Sequence, residues 1–210
     1  TNLHRYSEFD GTLRADQGVY EVTQTAVMDA AIGRLVGRFE STQATVNHSF
    51  FNRNVAVTAG KYVASALLKN DGVGSAQVWL RSIVSGVNFS ATTINFSTGV
   101  ATNSAGGTYV ENAGGAIKLP GGWWLVWASA SIPSTDTVQT QVYPKTSSVV
   151  AGIPGEGLMC AYTQLEQGSS PSSYIQTNGS AVTRAADFPF IPAINGGTEM
   201  VTVAVTVSVN

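Results

Sequence analysis

Two short phrases carry side chains whose types and spacing could grip a ligand. Gln77, Trp79 and Arg81 fall on every second position, and so do Gln139, Gln141 and Tyr143. Side chains of an extended chain alternate between its two sides, so each trio shares one face of its own strand. Aromatic rings stack on the apolar C–H faces of sugars, while amides and a guanidinium supply planar hydrogen bonds. The same pattern also suits rings packed half-buried at an interface beside solvated glutamines, and both readings stay open.

The search for catalytic chemistry is negative. His4 and His48 are the only histidines; they lack zinc-protease spacing, and no Gly-x-Ser-x-Gly nucleophile elbow is present. Gly60-Lys61 closes a turn and does not end a phosphate-binding loop. Glycoside cleavage needs two convergent carboxylates. Glu21, Glu40, Asp71, Glu111, Asp136, Glu156 and Glu166 are scattered near turns and strand ends, and no pair of them stands out. The chain is therefore expected not to be an enzyme. The single Cys160, inside an apolar phrase, reads as a small core residue and excludes an intramolecular disulfide.

The elements that must position these residues are strands. Period-2 patterning and turn signals predict strands over residues 20–25, 35–39, 46–57, 61–69, 76–83, 87–96, 107–119, 123–132, 137–143 and 158–167. Residues 1–19 read as an irregular lead-in, 27–32 as one uncapped helical turn, and 97–107 and 144–157 as loops. Residues 61–69 are expected to be half-buried. Trp124, Val126, Ala128 and Ala130 share one face of their strand and Trp123, Leu125 and Trp127 the other, so the tryptophans read as packing residues. About ten short strands without a sustained helical period point to an all-β antiparallel sandwich.

Composition agrees with this reading. The chain has 210 residues, of which only 11% are charged, and a formal charge of −2. No basic stripe exists to neutralise phosphates, which argues against nucleic acid, and there is no polybasic handle for an anionic membrane. No segment has the length of a transmembrane helix, and the N-terminus lacks a signal peptide's basic and apolar regions. Thr1 is the kind of small residue left after removal of an initiator Met, so the chain reads equally as a whole short protein or as an excised domain.

The tail stands apart. Phe188-Pro189-Phe190-Ile191-Pro192 must be extended and cannot supply a continuous ladder. Val201, Val203, Val205, Val207 and Val209 then alternate with small polar residues, a pattern that would be an aggregation hazard if left unpaired. This strand pairs either with its own domain's edge or, as an arm, with a neighbouring subunit. Residues 1–187 thus form the domain, and 188–210 an extended linker and C-terminal strand.

Several phrases of the domain also resemble a known family. They are Gln164-Leu165-Glu166-Gln167-Gly168, Pro171-Ser172-Ser173-Tyr174-Ile175 and the run from Gly179 to Asp187, with Asn2-Leu3 and Tyr6-Ser7-Glu8-Phe9 at the start and Val57 to Tyr62 and Gly121-Gly122-Trp123-Trp124 between. Together they resemble a jelly-roll domain recurrent in bacteriophage tail fibres and tailspikes, itself similar to carbohydrate-binding modules of the concanavalin-like type. One departure is Ala161, where an aromatic usually stands, followed by Tyr162.

The resemblance implies a jelly roll on a virion surface, made in the bacterial cytoplasm. It implies other virion proteins as partners, a trimeric homo-oligomer, and host surface polysaccharide as a further partner. Two roles compete. One is adhesion to host glycans through Gln77, Trp79, Arg81, Gln139, Gln141 and Tyr143. The other is a structural or decoration role, with Phe188, Phe190 and the valines at 201, 203, 205 and 207 as the assembly arm. No cofactor motif is present. A structural calcium is common in related modules, and Glu8 and Asp187 lie at the domain ends where its carboxylates would come from; their spacing is not that of a self-contained calcium loop.

Overall fold

Alternation of apolar and polar residues becomes strand nearly everywhere along the chain. The computed structural model describes residues 1–5, 7–14, 16–42, 49–105, 111–144 and 155–183. One antiparallel sheet holds, in spatial order, β1 (Gln17–Tyr20), β4 (Ser49–Val57), β11 (Asp136–Pro144), β6 (Ser75–Ser82), β7 (Asn88–Asn95) and β8 (Ala101–Ser104). The second antiparallel sheet holds β2 (Val22–Asp29), β3 (Arg34–Ser41), β12 (Gly157–Gln167), β5 (Gly60–Asp71), β10 (Trp123–Ile132) and β9 (Asn112–Lys118).

The inward faces of the two sheets make the core of a β-sandwich. Val78, Leu80, Val138 and Val142 of the first sheet are fully buried, as are Ala66, Leu68, Val126 and Leu158 of the second. At one end Phe39 and Phe50 stack with ring centroids 3.6 Å apart, and Phe9 meets both edge-on at 5.3 and 5.4 Å. The two sheets approach closely at Gly114, where a Cβ would lie 1.8 Å from Thr92 Oγ1.

Several expectations are corrected. Residues 20–25 are not one strand: Glu21, at φ 53°, ends β1 and starts β2, and the chain passes there from one sheet to the other. Residues 27–29 do not begin a helical turn; the single turn comes later, closed by Gly33 N–H donating to Asp29 O (2.8 Å). β2 runs to Asp29, whose carboxylate accepts the Ala31 and Ile32 amides (3.0 and 3.1 Å) and so caps the β2–β3 hairpin. The Gly- and Ser-rich run 97–107 contains the edge strand β8. Residues 61–69 are not half-buried, since Val63, Ser65 and Leu67 are buried along with their inward-facing neighbours. Leu67 sits in a second apolar layer with Val36, Trp123 and Ala161 on the outer side of the second sheet.

The lead-in is not wholly irregular either, because it extends the second sheet alongside β12. Leu3 N–H donates to Leu165 O (2.7 Å), Thr163 N–H to Ser7 O (2.9 Å) and Phe9 N–H to Ala161 O (3.2 Å). The β5–β12 register slips by one residue at Ala161, where β12 exchanges β3 for the lead-in as its neighbour.

The closing phrase explains itself structurally. Gln164 Oε1 accepts the Ile175 amide (2.8 Å), and the Glu166 carboxylate accepts the Ser172 amide and hydroxyl (2.8 and 2.5 Å). Tyr174 stacks on Tyr162 with ring centroids 3.7 Å apart. Asn2 donates to Ile175 O and accepts from Leu165 N–H, tying the start of the domain to its end. These residues lock the return segment onto the outer side of β12. Their chemistry is consumed in folding.

Candidate functional site

Strand alternation and register build the candidate site on the outer face of the first sheet. In β11, Val138, Thr140 and Val142 point into the core, which sends Gln139, Gln141 and Tyr143 outward. In β6, Ala76, Val78 and Leu80 point inward and Gln77, Trp79 and Arg81 outward. The two strands are neighbours, and their register sets Gln139 opposite Arg81, Gln141 opposite Trp79 and Tyr143 opposite Gln77. All six residues singled out from sequence therefore occupy one continuous patch.

The patch borders a depression of about 550 Å3 that divides the six. Arg81, Gln139, Gln141 and Tyr143 line it, together with Tyr20, Ser49 and Phe51 from β1 and β4. Gln77 and Trp79 stand on its β7 side, where Gln77 Nε2 donates to Thr93 Oγ1 (2.7 Å) and Trp79 Nε1 donates to Gln77 Oε1 (3.1 Å). The Trp79 ring packs on Tyr143 with centroids 4.3 Å apart and planes tilted by 39°. Trp79 thus props the wall of the depression, and the accessible ring is Tyr20, which is 54% exposed.

The polar groups are held in place. Gln141 Nε2 donates to Ser49 Oγ (3.0 Å). The Tyr143 phenol hydrogen-bonds with Arg81 and Ser49; burial pushes its pKa above the ordinary value of 10.0, against the opposing pull of Arg81. It is a neutral hydroxyl at physiological pH. Gln141 is only 8% exposed, and its Oε1 has no hydrogen-bond partner among the described residues. An unsatisfied buried acceptor costs about 1–3 kcal/mol, so an incoming hydroxyl that reached this oxygen on a small side-chain adjustment would recover that cost.

Sequence reasoning missed Tyr20, Ser49 and Phe51. Phe51 alternates with the buried Phe50 and was legible as outward-facing, but nothing local says that β4 lies beside β11. Tyr20 was assigned to the strand beyond Glu21, and so to the wrong sheet.

The remaining candidates fall elsewhere. Glu8 is ion-paired with Arg34 and accepts Gln176 Nε2 (2.7 Å), so both carboxylate oxygens are engaged. Asp187, His48 and the proposed arm, including Phe188, Phe190, Val201, Val203, Val205 and Val207, lie outside the described residues. Among the described residues no group of three His, Cys, Asp or Glu side chains is placed to hold a metal ion. Trp123 and Trp124 are buried; Trp123 Nε1 donates to Asp29 Oδ1 (3.2 Å), whose partner oxygen accepts Lys69 Nζ (2.7 Å). Cys160 is buried, and burial pushes its thiol well up.

The sequence matches no protein-family model and no curated protein. Its strand arrangement is similar to that of several solved carbohydrate-binding modules. TmCBM61, solved with β-1,4-galactotriose, is 15% identical, with a TM-score of 0.46 over 80% of this chain and 99% of that one. A module of Cellvibrio mixtus lichenase 5A, solved with cellotriose, is 7% identical, with a TM-score of 0.41 over 79% and 99% of the two chains. The CBM22-1–GH10 polypeptide of Clostridium thermocellum xylanase 10B, solved with xylohexaose, is 11% identical, with a TM-score of 0.44. The match takes in 80% of this chain but spans only 29% of that xylanase polypeptide.

Proposed function

We propose that this chain is a non-catalytic glycan-binding jelly roll whose site is the depression on the outer face of the first sheet. The observation that carries the reading is the lining itself. An exposed Tyr20 ring, two planar amides and a guanidinium surround about 550 Å3, with one amide oxygen lacking a donor. Such a set stacks on one face of a pyranose while hydrogen-bonding its equatorial hydroxyls. The setting we propose, from the resemblance of residues 164–187 and the opening phrases, is the surface of a bacteriophage virion. There the domain would bind host cell-surface glycans as part of a tail fibre or spike.

A glycan array of bacterial surface polysaccharides, followed by calorimetry on the hits, tests this. Tyr20→Ala removes a ring that packs little in the fold, and should weaken binding about tenfold, equivalent to about 1.4 kcal/mol, with an unchanged melting temperature. No hit on the array overturns the function. A hit whose affinity Tyr20→Ala leaves untouched moves the site elsewhere.

A structural or decoration role through the C-terminal arm is the second reading, favoured by the strict valine alternation of residues 201–209. Light scattering on the full chain and on a chain ending at residue 187 tests it. A trimer that becomes monomeric on truncation supports the arm, and an unchanged mass removes it.

A further inference from the structure

We infer that the sugar taken in this depression carries a carboxylate, held by Arg81; the inference rests on the glycan-binding reading above. Among the described residues, Arg5, Arg14, Arg34 and Arg38 each face a carboxylate. Arg81 has no such partner. Its hydrogen-bonding neighbour is the Tyr143 phenol, which burial keeps protonated and which is therefore no counter-ion. Its cross-strand neighbour is the neutral Gln139. The nearby acid Asp136 forms no ion pair with it; its Oδ1 accepts Ser82 Oγ (3.0 Å) and the Thr137 amide (2.6 Å).

Among the described residues no Asp or Glu lines the depression. The site therefore presents a half-buried cation, fixed by the phenol behind it, and no anion. A partly desolvated charge without an opposite charge is a standing cost that a bound anion relieves. The guanidinium fork matches a carboxylate through two parallel hydrogen bonds, a fit that a neutral hydroxyl reproduces poorly. Gln141 Oε1 asks for something different, a hydroxyl donor. A ligand that brings a carboxylate and a hydroxyl to neighbouring positions is an acidic sugar, of which uronic acids are the simplest. Sialic acids and pyruvate ketals offer the same chemistry from other sources.

The test compares oligogalacturonate and oligoglucuronate with their carboxyl-reduced counterparts, alongside sialylated, pyruvylated and neutral glycans on the array. The expected hits all carry carboxylates, and reducing the carboxyl weakens binding about ten- to a hundredfold, as the loss of a hydrogen bond to a charged group does. Arg81→Gln should bind the acidic and reduced forms alike. Arg81→Lys should keep part of the preference, because the charge remains and the fork is lost. Which acidic glycan leads the array separates the three sources.

Two results overturn the inference while leaving the glycan site standing. One is reduced oligosaccharides bound as tightly as their acids; the other is hits that are all neutral. An array without hits removes the underlying reading instead. Melting curves of both Arg81 variants confirm that the fold is intact.

Discussion

Acidification should destabilise this fold through one residue of the lead-in. His4 is 1% exposed, with Nε2 2.9 Å from Thr140 Oγ1 and no partner for Nδ1 among the described residues. Burial lowers its pKa from 6.5 to about 3. The unfolded chain therefore takes up a proton that the folded chain refuses. The stability this represents is fully present above pH 6.5, falls as pH drops towards 3, and is flat below. Linkage between the two values gives a loss of about 2 kcal/mol at pH 5 and about 3 kcal/mol at pH 4.

Urea unfolding at several pH values measures this. With a denaturant slope of about 2 kcal/mol per M, the pH 5 loss moves the midpoint down by about 1 M. His4→Gln provides the control, since an amide can still meet Thr140 but does not titrate. The variant starts less stable at pH 7.5, and its deficit relative to the wild type should shrink by about 2 kcal/mol at pH 5. Carboxylates that titrate in both proteins cancel in the comparison. A deficit that stays constant from pH 7.5 to 5 would mean that His4 is not held neutral in the core, and the account of the lead-in would fall with it.

The two adjacent glycines of β9 should respond differently to a methyl group. Gly114→Ala drives Cβ into Thr92 Oγ1 and the backbone carbonyl of Trp127, 2.8 Å away, and should cost about 3 kcal/mol in a melting or denaturant experiment. Gly115→Ala meets the Trp127 ring at 3.2 Å, on the outer side where that ring can yield, and should cost less than about 1 kcal/mol. Glu166→Ala strips Ser172 of both its hydrogen bonds to this carboxylate. Limited proteolysis should then cut within residues 168–174 well below the melting temperature, and an unchanged digestion pattern would show that the segment is held by other contacts.

Local rules made much of the architecture readable. Alternation in residues 76–82 and 137–143 assigned Val78 and Val142 to the core and Trp79 and Tyr143 to the outer face, because the side-chain period of a strand belongs to the strand alone. The same rule failed where one residue interrupts it. Glu21 adopts φ 53° with no glycine to announce the corner, so two strands read as one. β8 was missed because Ala101–Ser104 is a short edge strand whose pairing with β7, not its own composition, makes it a strand. In β5 the alternation was real, but a second apolar layer closes over the outer face, and period-2 patterning carries no information about layers.

Local alternation dictates which side chains share a face: the polar and aromatic trios, the apolar rows behind them, and the closing phrase that folds back on its own strand. Which faces meet depends on the fold as a whole. β6 and β11 are joined by hydrogen bonds between residues far apart in the chain, and so are β11 and β4. These pairings bring Tyr20, Ser49 and Phe51 to the same depression as Arg81 and Gln141, and leave Trp79 as a prop behind it. Side-chain direction follows from backbone geometry over a few residues. Strand neighbours follow from the packing of the whole core, and it is neighbours that turn two faces into a site.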